Sequence, residues 1–311
     1  STSVIGRSIE SDNSFADSAK VDKTLTVSPV ADAPSASSSN VEVSNGVEDA
    51  AIGSGNTAKI RVDADLTDTD GSEQLSIILK LPSDVAGATF VPSSGSAVTG
   101  TVVTNLSGYD GQRVVSFDVA SGQEKTGKFE FELSMASHFS GTASIDVIAR
   151  STDGSDTEDT SVGTHSVSVT PVADAPTSPS VTVEVGSEDQ LDPSGAADPA
   201  RLNVSMTFPD ASEGHFVIVV VDSNAKEVIY NGVTYNASTI DVPSGISLGS
   251  GEKFSLIEVN ASADGSFTGS FDVVPNDNYA GTISASIIGR SIESDNSFAD
   301  SAKVDKDLTV T

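Results

Sequence analysis

The sequence predicts an all-β fold: tandem immunoglobulin-like (Greek-key) β-sandwich domains placed end to end in a chain of 311 residues. Three observations lead there. Apolar and polar residues alternate with period two in short bursts, the signature of half-buried strands, and no helical period is sustained. Turn signals rich in Gly, Asn, Asp and Ser separate the bursts. The pattern also occurs twice: SPVADAP at Ser28–Pro34 returns as TPVADAP at Thr170–Pro176, with Pro29 and Pro171 standing 142 residues apart, a domain-sized period.

The elements follow in order. Residues 1–28 read as the C-terminal strands of a preceding repeat, 29–34 as a linker and 35–170 as a first sandwich. Residues 171–176 form a second linker and 177–311 a second sandwich. The bursts of the first are AKIRVDADL, LSIILKLP, TVVTNL, RVVSFDVA, KFEFELSM, TASIDVIA and HSVSVT, with SGSG, TDGS, SSGS, YDGQ and STDGSD between them. Those of the second are RLNVSMTF, HFVIVVV, EVIYNGVTY, FSLIEV, GSFTGSFDVV, TISASIIGR and KDLTVT. FVIVVVD is an unbroken apolar run, which predicts a central strand buried on both faces. NGVTYN predicts a hairpin with an Asn-Gly turn.

The chain repeats itself at greater range as well. Ile5–Lys23 and Ile288–Lys306 are identical, and each would run from a penultimate strand through a loop into a last strand. Arg7 and Arg290 stand 283 apart, about twice the shorter period, so the full repeat is a pair of unlike units. Segment 1–28 is expected either docked on a neighbouring chain or left over from the cutting of a continuous array. Folding onto its own chain would defeat that expectation.

Acidic residues outnumber basic ones 45 to 16, for a net charge of −29. This excludes the Lys/Arg surface that nucleic acid or an anionic membrane requires. Carboxylates at this density repel one another unless a cation neutralises them, and hard divalent cations prefer carboxylate oxygen. Solubility alone is the plainer reading of the same charge. With no Cys there are no disulfides, so added stability must come from packing or metal. No run approaches the roughly 18 apolar residues of a membrane span, and no signal-peptide or lipidation pattern occurs.

After each linker come a short alternating strand and an acidic pair, VEVSNGVED (Val41–Asp49) and VTVEVGSED (Val181–Asp189). DTDGSE (Asp68–Glu73) follows the next strand in the first unit, and FPDASE (Phe208–Glu213) takes its place in the second. This combination is similar to the repeated domains of giant bacterial RTX adhesins. Those are type I-secreted, calcium-loaded surface proteins of Gram-negative bacteria, among them biofilm and ice-binding adhesins. The resemblance covers essentially the whole chain. It implies stacked extender domains on the cell surface, anchored to the outer membrane through other regions and holding an adhesive tip away from the cell. Their partners would be neighbouring repeats of the same chain, and other domains of the full-length protein would meet a glycan or protein surface. FPDASE departs from the pattern and implies fewer protein ligands there.

Loops of a sandwich alternate between its two ends. This places Asp68, Asp70 and Glu73 at the same end as Asp153, Asp156, Glu158 and Asp159, together with linker Asp32. Glu48 and Asp49 lie at the opposite end. Stacking would gather Glu48, Asp49 and linker Asp174 with Asp210, Glu213, Glu293 and Asp295; Glu188 and Asp189, the corresponding acidic pair of the second unit, are candidate ligands as well. Calcium takes six to eight oxygens in forgiving geometry, and Gly71 permits the tight turn. The expected cofactor is therefore Ca2+, stiffening joints already restricted by proline. DTDGSE also makes a sound β-turn without an ion, and PVADAP also reads as a stiff linker. Asp63 and Asp65 read as solvated.

No catalytic signature occurs. His138, His165 and His215 have no metal-ligand spacing and read as structural or exposed, and no phosphate loop or nucleophile motif is present. Aromatic residues make up 5% of the chain, with no Trp, too few to line a carbohydrate cleft, so no enzyme is expected. The rival reading is that one sandwich itself binds a glycan or protein. The second is the candidate, through Tyr230, Tyr235 and Tyr279, although Tyr230 and Tyr235 flank a hairpin and would also serve to pair across it.

Overall fold

The computed structural model describes residues 2–68, 71–92, 97–119, 128–190 and 198–311. Within them the chain is made of strands, with a single three-residue 3-10 turn and no α-helix. It divides into two compact units. The first comprises Ser1–Ser44, Lys59–Ser134 and Ser144–Ser166, and the second Asn45–Ala58, Met135–Ala143 and Val167–Thr311. Segments 45–58 and 135–143, which the sequence reading gives to the first sandwich, thus group with the second unit.

Four short strands open the first unit: β1 (Thr2–Val4), β2 (Arg7–Ile9), β3 (Phe15–Asp17) and β4 (Val21–Lys23). β1 pairs with β4 and β2 with β3, forming a hairpin whose residues, like all those from Thr2 to Val30, are exposed.

The next eleven are β5 (Ser35–Ala36), β6 (Glu42–Ser44), β7 (Gly46–Val47), β8 (Lys59–Asp65), β9 (Gln74–Lys80), β10 (Val85–Val91), β11 (Val98–Thr99), β12 (Val114–Asp118), β13 (Lys128–Met135), β14 (Gly141–Asp153) and β15 (Asp156–Thr170). In one sheet β11, β10, β13 and β8 lie side by side, with β5 and β6 both on β8; in the other the order is β12, β9, β14, β15. β8 alternates as its sequence demands, burying Ile60, Val62 and Ala64 while Lys59, Arg61 and Asp63 face outward. Phe90 and Phe131 of one sheet meet Phe117 of the other at ring-centroid separations of 5.4 Å between Phe90 and Phe131 and 5.0 Å between Phe117 and Phe131. That cross-sheet aromatic contact closes the sandwich.

Ten further strands complete the second unit: β16 (Thr177–Glu184), β17 (Ala200–Thr207), β18 (Gly214–Val221), β19 (Ala225–Tyr230), β20 (Val233–Asn236), β21 (Lys253–Glu258), β22 (Ser266–Pro275), β23 (Gly281–Ile292), β24 (Phe298–Asp300) and β25 (Val304–Val310). One sheet runs β16-β17-β22-β19-β20; the other runs β21-β18-β23, with β24 and β25 both on β23. β18 is the predicted central strand, and its two faces enter two cores. Val217, Val219 and Val221 join the main core between the sheets. Ile218 and Val220 meet Phe254, Ile288, Ile246 and Leu248 on the outer side. The Asn231-Gly232 turn has positive φ at both residues, as a two-residue hairpin turn requires.

The second unit contains two strand crossings that only glycine fits. β16 pairs with β17 in one sheet, and Gly186 then bridges in parallel to Val310 of the other. β7 crosses likewise, with Gly46 opposite Val169. A Cβ on Gly186 would meet the Ala200 backbone nitrogen at 2.1 Å, and one on Gly46 would meet that of Ala58 at 2.5 Å. Gly186→Ala is accordingly expected to cost about 1–3 kcal/mol, the usual range for forced overpacking. Urea denaturation measures it; an unchanged midpoint and slope would show that the crossing relaxes freely.

Candidate metal sites

The acidic residues fold into two clusters, one in each unit, and both are organised around a Pro-Val-Ala-Asp-Ala-Pro linker. In the first unit, ligand oxygens of Asp32, Asp68 and Glu73 lie within 4.8 Å of one another. The Asp32 amide donates to Glu73 Oε1, and the Ala31 amide donates to Asp156 Oδ2 at 2.9 Å. Ser151 Oγ donates to the Asp32 carbonyl at 2.6 Å, and Thr160 Oγ1 to that of Pro34 at 2.7 Å. Glu73 is 8% exposed, and its Oε2 is buried with no hydrogen-bond partner. Asp153 accepts a long 3.4 Å bond from Ser72 at the rim. Gly71 has φ +87°, the tight turn expected of DTDGSE, while Asp70 lies outside the described residues.

The second unit holds the denser cluster. Oxygens of Glu48, Asp210 and Glu293 lie within 4.8 Å of one another, and all three residues are buried. Glu213, also buried, accepts from the Asp174 amide at 2.7 Å, and Glu48 Oε2 accepts from the Val172 amide at 2.9 Å. Glu48 Oε1, Glu213 Oε2 and Glu293 Oε1 are buried with no partner. Among the described residues, none of these four carboxylates has an ion pair with Lys or Arg. Burying an ionised carboxylate without a counter-charge costs several kcal/mol, so such groups either take up protons or bind a cation.

Beside this cluster stands a histidine that the sequence reading passed over as structural. His138 Nδ1 lies 2.9 Å from Asp174 Oδ2 and 3.2 Å from Asp49 Oδ2, and its amide donates to Asp49 Oδ1 at 3.1 Å. Burial works to lower the imidazole pKa, but the charges of Asp49, Asp174 and Asp210 outweigh it and hold the value above the ordinary 6.5. His138 has φ +56°, a left-handed position in which its main chain and its ring reach the same carboxylate. The signal for it was present in the sequence: His138-Phe139-Ser140-Gly141 aligns with Asn278-Tyr279-Ala280-Gly281, and Asn278 also has positive φ.

Other expected residues lie outside the clusters. Asp295 is exposed at a turn, where it accepts from the Ser297 amide at 2.8 Å, and it does not join Glu293. A short polar turn satisfies its carboxylate locally, so nothing draws it inward. Glu188 and Asp189 are exposed and join no described cluster. Asp159 is held by Arg150 through bonds of 2.7 and 2.9 Å and accepts from the Tyr109 hydroxyl at 2.7 Å. Burial beside that carboxylate pushes the Tyr109 hydroxyl up to about 12. Asp65, read as solvated, has a buried oxygen without a partner. His215 is buried, with Nε2 2.7 Å from the Asp210 carbonyl and its ring stacked on Phe208 at 4.4 Å; it shapes the FPDASE loop. The three tyrosines of the rival reading are spent within the fold. Tyr230 stacks on Phe271 at 4.7 Å, Tyr235 packs against the core, and the Tyr279 hydroxyl donates to the Thr282 carbonyl at 2.6 Å.

No protein-family model matches the chain, and no curated protein matches it. Among solved structures it is similar to the C-terminal domain of the Streptococcus agalactiae AgI/II polypeptide BspA, at 10% identity over 89% of this chain and 99% of that one, TM-score 0.26. It is similar also to the C-terminal domain of the Streptococcus pyogenes antigen I/II-family protein AspA, at 11% identity over 86% and 95%, TM-score 0.30. The FN1–FN3 domains of chicken CNTN1 match at 10% identity over 99% and 77%, TM-score 0.24. All three scores lie below 0.5, and none of these likenesses bears on what this chain does.

The buried cluster gives the metal-free protein a definite pH dependence. Burial, reinforced by Asp210 and Glu293 and opposed by the Asp174 amide and Ser291, raises Glu213 from 4.5 to about 7; burial also raises Glu48. A carboxyl that holds its proton more tightly folded than unfolded stabilises fully below its unfolded pKa, and the contribution is lost as pH rises through the folded one. In chelator, the melting temperature is therefore expected to fall between about pH 5 and pH 8. Glu213→Gln should flatten that slope, and a flat wild-type profile would contradict the assignment.

Proposed function

We propose that this chain is a structural, calcium-loaded segment of a large extracellular adhesive protein, its sandwiches serving as spacers. The observation that carries the calcium reading is the set Glu48, Asp210, Glu213 and Glu293: four buried carboxylates, three oxygens without a partner and, among the described residues, no Lys or Arg side chain paired to them. Six to eight oxygen ligands in loose geometry is a calcium demand, and Asp174 with Asp49 adds carboxylates beside the set. Asp32, Asp68 and Glu73, with Asp156 on the neighbouring amide, would form the corresponding site of the first unit.

The ion would act on the linkers. Glu48 and Glu213 already hold the Val172 and Asp174 amides, so a cation bridging their free oxygens would fix residues 172–174 to the loops around them. A chain whose proline-restricted linkers are further clamped by calcium resists bending, which is what a spacer requires. Support for an extracellular, surface-bound setting comes from the sequence resemblance to RTX adhesin repeats and from sites of a kind that bind calcium at about 10⁻⁴–10⁻³ M in extracellular modules.

Calcium is expected to raise the melting temperature, with a stabilisation near 2.7 kcal/mol when free calcium reaches about a hundred times Kd. Asp210→Asn and Glu48→Gln should each weaken binding measured by titration calorimetry while stabilising the chelated protein, since each removes a buried charge. Identical melting curves in calcium and in chelator would end the reading.

A further inference from the structure

His138 stands where the backbone has no need of an imidazole. Asn278 takes the aligned position with φ +58°, so a short amide side chain serves the same left-handed turn. The ring instead faces two carboxylates brought from distant segments. Nδ1 lies 3.2 Å from Asp49 Oδ2 and 2.9 Å from Asp174 Oδ2, and ligand atoms of the three residues all lie within 4.8 Å of one another. All three belong to the second unit. Among the described residues, His165 and His215 enter no such group.

The two aspartates are held from behind. The His138 amide donates to Asp49 Oδ1 at 3.1 Å, which leaves Oδ2 turned to the ring. The Asp174 amide donates to Glu213 Oε1 at 2.7 Å, fixing the linker that carries its carboxylate. Outer hydrogen bonds of this kind orient metal ligands. The side chains of His138, Asp49 and Asp174 are 33%, 43% and 31% exposed, so an ion has a way in and room for water ligands. Zinc binds imidazole nitrogen at about 2.0–2.1 Å and carboxylate oxygen at about 2.0–2.2 Å, which sets neighbouring ligand atoms roughly 2.9–3.4 Å apart. Both N···O separations here fall in that range.

The acids beside this triad point the same way. Glu48, Asp210 and Glu293 gather within 4.8 Å, and Glu48 Oε1 and Glu293 Oε1 are buried without a partner. Asp210 acts electrostatically on both His138 and Glu48, so the two groups adjoin. One imidazolium cannot balance these five carboxylates when they are ionised, and the region attracts further cations. We propose that Asp49, His138 and Asp174 form a metal site of their own that takes zinc, chemically distinct from the all-carboxylate group next to it. Calcium takes oxygen ligands, whereas imidazole suits zinc. In the metal-free chain a proton on Nδ1 holds the place of the ion, and zinc binding releases it to solvent. Zinc needs the nitrogen and calcium the oxygens of the neighbouring acids, so either site can stand without the other.

Titration calorimetry with zinc chloride on the full chain, in calcium-free buffer and in excess calcium, tests this. One zinc per chain is expected to bind through His138 in both. His138→Asn installs the residue that serves the aligned turn. It should weaken zinc at least about tenfold, since losing even an outer partner of a ligand costs roughly 10–100-fold. The same variant should leave the calcium-induced rise in melting temperature unchanged. Nitrogen NMR of the wild-type imidazoles gives a reading that needs no variant: zinc should shift His138 and leave His165 and His215 in place. Absence of zinc binding, equal binding by His138→Asn, or shifts confined to His165 or His215 would overturn the site. Complete displacement of zinc by calcium would also overturn it, because the zinc would then lie among the glutamates. Any of these results alongside a calcium-raised melting temperature leaves the calcium reading intact. Zinc held by His138 with no calcium effect on melting upholds the zinc site and removes the calcium reading.

Discussion

The arrangement of the second unit turns on one electrostatic problem: four carboxylates, on Glu48, Asp210, Glu213 and Glu293, are buried together without a basic partner among the described residues. The chain has few basic residues, and they are used elsewhere. Lys59 pairs with Glu130 and Glu132, Arg61 and Lys128 share Glu42, and Arg201 pairs with Asp272, all on strand faces. These strand carboxylates are thus neutralised by cross-strand cations, and those on the clustered loops are left for protons, an imidazolium or a metal.

The two clusters share a device and differ in composition. In both, a glutamate immediately before a strand, β9 or β18, holds the linker aspartate amide, Glu73 on Asp32 and Glu213 on Asp174. In both, a second carboxylate holds an amide just before it, Asp156 on Ala31 and Glu48 on Val172. The linker prolines remove donors and restrict φ, and the remaining amides are tied to acids whose other oxygens face the cluster. Linker order and carboxylate order are therefore one property. The second cluster adds His138, whose imidazolium would partly neutralise Asp49 and Asp174, so its charge is softened by an internal cation.

Much of this was legible before folding. Period-two alternation identified β8, the unbroken apolar run identified β18, Asn231-Gly232 announced its turn, and the repeated linker identified the acids around it. The sequence misjudged density. FPDASE looked poorer than DTDGSE by counting acids in one window, yet Asp210 and Glu213 are both buried because Glu48 and Glu293, distant in sequence, complete their surroundings. Counting along a chain cannot see a site assembled from five segments. His138 was missed for a related reason: its neighbours in sequence are Ser137 and Phe139, and the two aspartates that define its role arrive from residues 49 and 174. Asp295 failed in the opposite sense, since an acid near Glu293 in sequence satisfies itself at a turn and faces solvent.

The doubled hairpin separates two determinants that are usually confounded. Nineteen identical residues adopt the same register and place the same Arg over the same Phe whether their face is covered or open. Register must then be set locally, by the turn at Asn13 or Asn296, both left-handed, and by the Arg–Asp pair beside it. Burial cannot be what chooses the pairing, because only one copy of the hairpin is buried. What burial adds is a reason to stay: an isolated hairpin of this length is marginal in water, and one set into a sandwich is not. The repeat therefore preserves a local code for shape, and the core around Ile287, Leu308 and Val310 converts that shape into stability.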